Sequence, residues 1–131
     1  MNQNETNQAV HRILNARSVA IVGASGDARK FGFMTLDSIV RGGYTGKIYP
    51  INPKGGEILG LKVYTTYAEL PEVPELAVII VPAKTVPATL LEVSRKGTLG
   101  AVILSSGFRE SGRPDLEEEI RRIWACDIKV G

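Results

Sequence analysis

The chain has 131 residues, of which 44% are apolar and 23% are charged, and its formal net charge is +2. This length fits one domain of ordinary size, and the apolar fraction is enough for a core. The small charge and the 6% aromatic content do not indicate nucleic-acid binding, and no apolar run approaches the roughly 20 residues that span a membrane. The N-terminus does not resemble a secretory signal, and the single cysteine, Cys126, fits a cytoplasmic protein.

Strands and helices are expected to alternate along the chain. Residues 1–16 are predicted to form a polar tail with a short helix, and residues 17–131 to form one domain. The predicted strands are Val19–Val22, Lys47–Ile51, a short extra strand over Leu59–Tyr64, Leu76–Val81, Ala101–Leu104 and the start of a last strand at Ile128–Val130. The predicted helical segments are residues 32–41, a turn over Thr66–Leu70, Thr85–Lys96 and Pro114–Trp124.

Strands that are apolar throughout and separated by helices indicate a parallel sheet covered on both faces. We therefore expect an α/β fold, a Rossmann-like doubly wound parallel sheet of about five strands in a single domain. Ligands bind at the carboxyl ends of the strands in such folds, so the small and polar residues after the first four main strands predict one binding rim. The chain stops as the fifth main strand begins, which predicts a fragment of a longer protein.

Spacing within the helices predicts which residues face the core. The first helix is expected to bury one face, made of Phe33, Leu36, Ile39 and Val40. The helix after the third main strand is expected to bury Val86, Leu90 and Val93. Asp27, near the start of the first helix, is expected to be its N-cap or a first-turn acid.

The turn after the first strand contains Gly23 and Gly26, and Gly32 follows in the predicted helix. Small residues let a backbone approach a ligand closely, and the start of a helix presents unpaired N–H groups and a positive dipole end. This turn suits a phosphate or pyrophosphate. It is not a strict G-x-G-x-x-G, because Ser25 stands at the second glycine. A tight turn without a ligand remains the alternative.

The end of the second strand bears on the choice of nucleotide. NAD sites usually have an acid there, about 20 residues after the glycines, for the ribose 2′-hydroxyl. This chain has Asn52-Pro53-Lys54 instead. Lys54, with Lys47 as a second candidate, would attract an adenosine that carries an extra phosphate. Both coenzyme A (CoA), with its 3′-phosphate, and NADP, with its 2′-phosphate, satisfy this condition, and a solvated lysine is the alternative.

Five sequence blocks occur in an order that is more specific than any one of them. They are Val19–Gly26, Gly46–Lys54, Ile58–Tyr64, Leu76–Ala83 and Ala101–Glu110. Together they resemble the N-terminal CoA-binding domain of NDP-forming acyl-CoA synthetases, such as ADP-forming acetyl-CoA synthetase. They are also similar to the alpha subunit of succinyl-CoA synthetase. The resemblance covers about residues 17–130.

The resemblance implies which residues contact CoA or acyl-CoA. They are Gly23, Ala24, Ser25, Gly26, Asn52, Pro53, Lys54, Val81, Pro82, Ala83, Ser106, Gly107 and Phe108. It implies no metal and no catalytic residue in this domain, since the family's catalytic histidine lies in the next one. His11, the chain's one histidine, matches no family motif.

The resemblance also implies a reaction for the parent protein. Acyl-CoA, ADP and phosphate are interconverted with carboxylic acid, CoA and ATP, through an acyl phosphate and a phosphohistidine. Downstream ligase domains of the same protein would then be partners, and the fragment alone would be inactive. Two alternatives stay open: an NADP-binding redox or sensor domain, and the CoA-binding regulatory half of a protein acetyltransferase.

Overall fold

The computed structural model describes residues 13, 15–104 and 129–130. The strands are β1 (Ser18–Val22), β2 (Lys47–Ile51), β3 (Glu57–Ile58), β4 (Leu61–Lys62), β5 (Leu76–Ile79), β6 (Gly100–Ile103) and β7 (Lys129–Val130). The helices are α1 (Phe31–Arg41) and α2 (Val86–Lys96), with 3-10 turns at Tyr67–Glu69 and Ala83–Thr85. The helix predicted over Pro114–Trp124 lies outside the described residues.

The described strands form a five-stranded sheet in the order β2-β1-β5-β6-β7, and every neighbouring pair is parallel. The predicted Rossmann-like parallel sheet is therefore confirmed. The chain winds outward in one direction from β1 to β2, and in the other from β5 to β7. The order reverses between β1 and β5, which is where open α/β sheets form a ligand crevice.

Alternate residues of β1 pack against different helices, because successive side chains of a strand point to opposite faces. Ala20 and Val22 belong to the core cluster that contains Leu90 of α2. Val19 and Ile21 belong to the cluster that contains Leu36 of α1. All five residues of β1 are buried, so both faces of the sheet are covered.

The two helices largely follow the predicted pattern. In α2, Val86, Leu90 and Val93 are fully buried, as predicted. In α1, Gly32, Leu36 and Ile39 form the buried face, and the expectation for Val40 was wrong because it lies 38% exposed. Neither helix of the described part has the length and apolar character needed to cross a membrane.

The third main strand is shorter than predicted. It ends at Ile79, not Val81, because β1 stops being its ladder partner beyond Val22. The amide of Ile80 still donates to the carbonyl of Val22 at 2.8 Å. The chain then leaves the sheet toward Pro82.

The segment predicted as one extra strand over Leu59–Tyr64 is instead mostly a hairpin. β3 and β4 pair in antiparallel fashion around a two-residue turn, Leu59-Gly60. Both turn residues have positive φ, 52° and 79°, as type I′ turns require. Ile58 and Val63 anchor the hairpin in the core cluster beside α1.

Candidate ligand-binding site

An open cleft of about 330 Å³ lies at the carboxyl ends of β1, β2 and β5. It is at the point where the strand order reverses. Its lining residues come from three segments that follow those strands and from the start of α1: Gly23, Ala24, Ser25, Lys30, Phe31, Gly32, Asn52, Ile80 and Pro82. Five of the predicted site residues are therefore brought together here, namely Gly23, Ala24, Ser25, Asn52 and Pro82.

Gly23 is required by the packing of the sheet. Its φ is 98°, and a Cβ at this position would lie 2.0 Å from the carbonyl oxygen of Ile80. Its amide also donates to the carbonyl of Ile51 at 3.1 Å. Any other residue would force β1 and β5 apart, so this glycine shapes the floor of the cleft.

Gly26 is different, because the packing of the described residues does not require a glycine there. Its φ is not in the positive range. Among the described atoms outside residues 25–27, Cγ1 of Ile58 would come closest to an added Cβ, at 4.0 Å. The space beside Gly26 is open, so this position gives clearance to something that approaches from outside.

The N-terminus of α1 is directed at the same loop. Gly32 lies so close to it that a Cβ would stand 2.1 Å from the carbonyl oxygen of Gly23. Lys30 is the N-cap residue, no described side chain caps this end, and its first turn holds no acid. The first amides of a helix lack intrahelical partners and form a positive end, to which Lys30 adds its charge.

Ser25 and Asp27 organise the rest of the loop. The amide of Asp27 donates to Oγ of Ser25 at 3.0 Å, which leaves the Ser25 hydroxyl proton able to donate to a ligand. The carboxylate of Asp27 accepts bonds from Arg29 Nε and Nη2, at 3.1 and 3.0 Å. The Arg29 hydrogen bonds hold the pKa of Asp27 below its usual value. Asp27 is thus not a cap of α1, which corrects the expectation, and its charge is paired.

Asn52 connects two loops at the tip of β2. Its Nδ2 donates to the carbonyl oxygen of Ala24 at 2.7 Å. Its Oδ1 accepts from the amide of Lys54 at 2.8 Å. The loop over residues 23–26, called the glycine loop below, and the loop that carries Lys54 are therefore connected by one side chain.

The two lysines considered for a nucleotide phosphate lie at opposite ends of β2. Lys54 follows the carboxyl end, is exposed, and forms no ion pair with any described residue. Lys47 begins the strand, roughly 13 Å from Ile51 at its other end, at about 3.3 Å per residue, and its Nζ lies 3.3 Å from Oε2 of Glu72. Hydrogen bonds from Tyr49 and Lys47 hold the pKa of Glu72 below its usual value. The hypothesis that Lys47 assists Lys54 was wrong.

The remaining predicted residues are distributed around the rim. Val81 lies beside Gly23, with its Cγ1 3.4 Å from where a Cβ of that glycine would be. Ala83 begins the 3-10 turn before α2, and Pro53 is exposed next to Lys54. The predicted contact residues Ser106, Gly107 and Phe108 lie outside the described residues.

Sequence reasoning missed Lys30, Phe31 and Ile80, which line the cleft. A lysine at a helix N-cap, where short polar residues are preferred, was a usable signal. Phe31 is 50% exposed beside it, which no periodicity could reveal. Among the residues that the structure describes, no cluster of His, Cys, Asp and Glu could hold a metal ion.

A parallel sheet with a glycine turn and a helix N-terminus at the point where the strand order reverses defines a nucleotide-binding domain of the Rossmann type. Comparison with known proteins narrows the class. Residues 17–125 match a family described as CoA binding domain. The chain belongs to this CoA-binding domain family.

Its relatives are acid–CoA ligases. The chain is 45% identical over 115 residues to the ADP-forming acetate–CoA ligase II of Archaeoglobus fulgidus. The aligned residues make up 88% of this chain and 17% of that protein. It is 44% identical over 108 residues to the alpha subunit of the ADP-forming acetate–CoA ligase I of Pyrococcus furiosus, covering 79% and 23%. The chain thus spans less than a quarter of these relatives.

Comparison with solved structures finds the same kind of relative. The dinucleotide-forming acetyl-coenzyme A synthetase 1 of Ca. Korarchaeum cryptofilum, in complex with phosphate and ADP, matches with a TM-score of 0.85 and 37% identity, over 92% of this chain and 26% of that one. A conserved hypothetical protein from Pyrococcus furiosus matches with a TM-score of 0.66 and 29% identity, over 88% and 93%. The resemblance to ADP-forming acetyl-CoA synthetases is confirmed, with CoA as the family's ligand. The NADP and acetyltransferase alternatives find no support in these relatives.

Proposed function

We propose that the cleft binds the nucleotide end of CoA or acyl-CoA. The observation that supports this is the cleft, which the loop after β1 and the start of α1 line together at Ser25, Lys30 and Gly32. The adjacent Gly26 has open space beside it. A CoA-binding domain needs a place where a pyrophosphate can approach the backbone closely. Ser25 and Lys30 both line the cleft, and their hydroxyl and ammonium groups are proposed to bind the pyrophosphate.

The 3′-phosphate of the adenosine is assigned to Lys54. Its ammonium is exposed and is not neutralised by an ion pair among the described residues. An acid at the tip of β2 would repel a phosphorylated ribose, and the tip has Asn52-Pro53-Lys54 instead. An exposed ion pair is worth up to about 1 kcal/mol, so we expect up to about fivefold preference for CoA over dephospho-CoA.

The pantetheine arm is assigned to the side of the cleft formed by Val81, Pro82 and Ala83. These small or apolar residues follow β5 and offer a wall without charge. The adjacent strand β6 leads to Ser106, Gly107 and Phe108, which we propose as the next contacts along the arm. The thiol would then be presented beyond the rim of this domain.

The parent protein is proposed to be an NDP-forming acyl-CoA synthetase. It would interconvert acyl-CoA, ADP and phosphate with a carboxylic acid, CoA and ATP. Downstream ligase domains would supply the catalytic histidine, and residues 17–131 would bind CoA without catalysing the reaction. A cytoplasmic location fits this role and the single cysteine.

Calorimetric titration with CoA, dephospho-CoA and NADP tests the proposal. We expect CoA to bind at micromolar or weaker affinity, with dephospho-CoA weaker and NADP weaker still. Lys54→Ala should remove the preference for CoA over dephospho-CoA. Lys47→Ala should preserve this preference, because Lys47 lies at the opposite end of β2 from Lys54. Absence of CoA binding, or tighter binding of NADP, would refute the proposed ligand.

A further inference from the structure

We propose that Asn52 is a positioning residue. It holds Lys54 in a fixed position relative to the glycine loop, and this sets the preference for the 3′-phosphate. The inference rests on the proposed function and assigns Asn52 a role other than direct ligand contact. It starts from the two side-chain hydrogen bonds, one to each loop.

The orientation of the Asn52 amide is fixed by its partners. Nδ2 faces a carbonyl oxygen, that of Ala24, and Oδ1 faces an N–H, that of Lys54. Turning the amide over would place oxygen against oxygen and nitrogen against N–H. The two loops together therefore accept a single orientation of the side chain.

The backbone of Asn52 is held as firmly as its side chain. Its N–H donates to the carbonyl of Tyr64 at 2.9 Å, and its carbonyl accepts from Gly55 at 2.9 Å. The residue is thus anchored to the sheet edge on one side and closes a short turn on the other. It is a fixed point from which the side chain reaches both loops.

The bond to Asn52 restrains the Lys54 amide, whereas the rest of this turn is held by the backbone bonds of Gly55 and Gly56. After Lys54, Gly55 and Gly56 have φ values of 64° and 89°, so the backbone there depends on glycine. The Asn52 Oδ1 contact is an Asx turn, which fixes the Lys54 amide two residues on. Without it, the exposed ammonium would be carried by a looser loop, and a phosphate would have to order that loop on binding.

The bond to Ala24 acts on the other loop. Ala24 is fully buried, and its carbonyl is engaged by Asn52 from the side of β2. A carbonyl oxygen that turned toward an anion would repel it. By holding this oxygen, Asn52 keeps the glycine loop suited to a pyrophosphate.

Two substitutions separate the two bonds. Asn52→Ala removes both. Asn52→Ser removes the bond to Ala24, which a shorter side chain does not reach, but keeps an oxygen for the Lys54 amide. The chain itself shows this i, i+2 geometry, because Oγ of Ser25 accepts from the amide of Asp27 at 3.0 Å.

The measurement is the ratio of the Kd values for dephospho-CoA and CoA by calorimetry. For Asn52→Ser we expect both affinities to fall about fivefold, the equivalent of one hydrogen bond, with the ratio retained. For Asn52→Ala we expect both to fall and the ratio to collapse toward that of Lys54→Ala. A general loss of folding would weaken both ligands alike and would not move the ratio selectively.

The outcomes are distinguishable. Wild-type protein that fails to bind CoA refutes the proposed function. Wild-type protein that prefers CoA, with an Asn52→Ala variant that keeps the same preference, refutes only the positioning role. If Asn52→Ala does not fold, the serine variant decides: unchanged affinities or a collapsed ratio would overturn the inference. Lowered affinities with a retained ratio, on protein that urea denaturation shows to be fully folded under the titration conditions, would support it.

Discussion

Gly32 of α1 packs directly against the carbonyl oxygen of Gly23, and an added Cβ would lie 2.1 Å from that oxygen. The same Cβ would lie 3.3 Å from the amide nitrogen of Ser25. The first turn of the helix therefore rests on the backbone of the loop. This contact aims the positive helix end at the cleft, as the third glycine does in dinucleotide-binding folds.

Substitution of Gly32 tests this contact. Helix propensity alone would make Gly32→Ala stabilising by about 1 kcal/mol. Because the methyl would overlap backbone atoms that cannot rotate away, we expect the opposite sign, a loss of about 2 kcal/mol in the free energy of unfolding. Urea denaturation measures it. A variant as stable as the wild type would show that helix and loop are not in contact.

Gly26→Ala is the matched substitution at a glycine with open space around it. Outside residues 25–27, no described atom comes closer than 4.0 Å to the new methyl, so stability should change by less than about 0.5 kcal/mol. The methyl would occupy the approach to the backbone, and we expect CoA affinity to fall at least tenfold, about 1.4 kcal/mol. Calorimetry and urea denaturation on the same preparation measure both. Unchanged CoA affinity would place the pyrophosphate elsewhere.

Some features could be predicted from sequence because they depend on local pattern. The bounds of β2, Lys47–Ile51, were predicted to the residue, since an apolar segment between glycine-containing turns leaves little choice. The end of α2 at Gly97, which has a left-handed conformation with a φ of 110°, is likewise indicated by the glycine itself, because glycine commonly ends helices in this conformation.

Other features depend on contacts between distant segments. The bond from Asn52 to Ala24 spans 28 residues, and composition reveals nothing of it. Lys47 was misassigned because its partner, Glu72, lies 25 residues further along the chain. Val40 was misplaced because Gly32, without a side chain, occupies the buried face of α1 instead.

The hairpin turn offers a test of backbone strain. Leu59 has a φ of 52°, a conformation that costs an L-residue with a Cβ roughly 1 kcal/mol. Leu59→Gly and Leu59→Ala both remove the side chain beyond Cβ, so their difference isolates the backbone. We expect the glycine variant to be more stable than the alanine variant by about 1 kcal/mol, the reverse of the usual order. Thermal unfolding of the two variants measures this, and an alanine variant of higher Tm would contradict the turn geometry.

Stability should fall at high pH through Tyr67. Burial raises the pKa of Tyr67 to about 12, and its hydroxyl lies 2.6 Å from that of Thr98. The unfolded chain loses this proton near pH 10, whereas the folded chain retains it until about 12. The contribution is thus fully present below pH 10 and is lost as pH rises from there to about 12.

Tyr67→Phe isolates that contribution. At pH 7 we expect the variant to lose about 1 kcal/mol, because one buried hydrogen bond disappears. Between about pH 10 and 12 its stability should decline less steeply with pH than that of the wild type. Urea denaturation across this range measures both slopes. Parallel curves would mean that the hydroxyl is not buried in the folded protein.

The cleft between the tips of β1, β2 and β5 is proposed to hold the nucleotide end of CoA. Titration of the isotope-labelled chain with CoA, followed by assigned NMR spectra, tests it most directly. We expect the largest amide shift changes at Ser25, Gly26, Gly32 and Lys54, with saturation that follows the Kd from calorimetry. Changes concentrated at the opposite edge of the sheet, around Lys47, Val73 and Gly97, with the glycine loop unmoved, would contradict it.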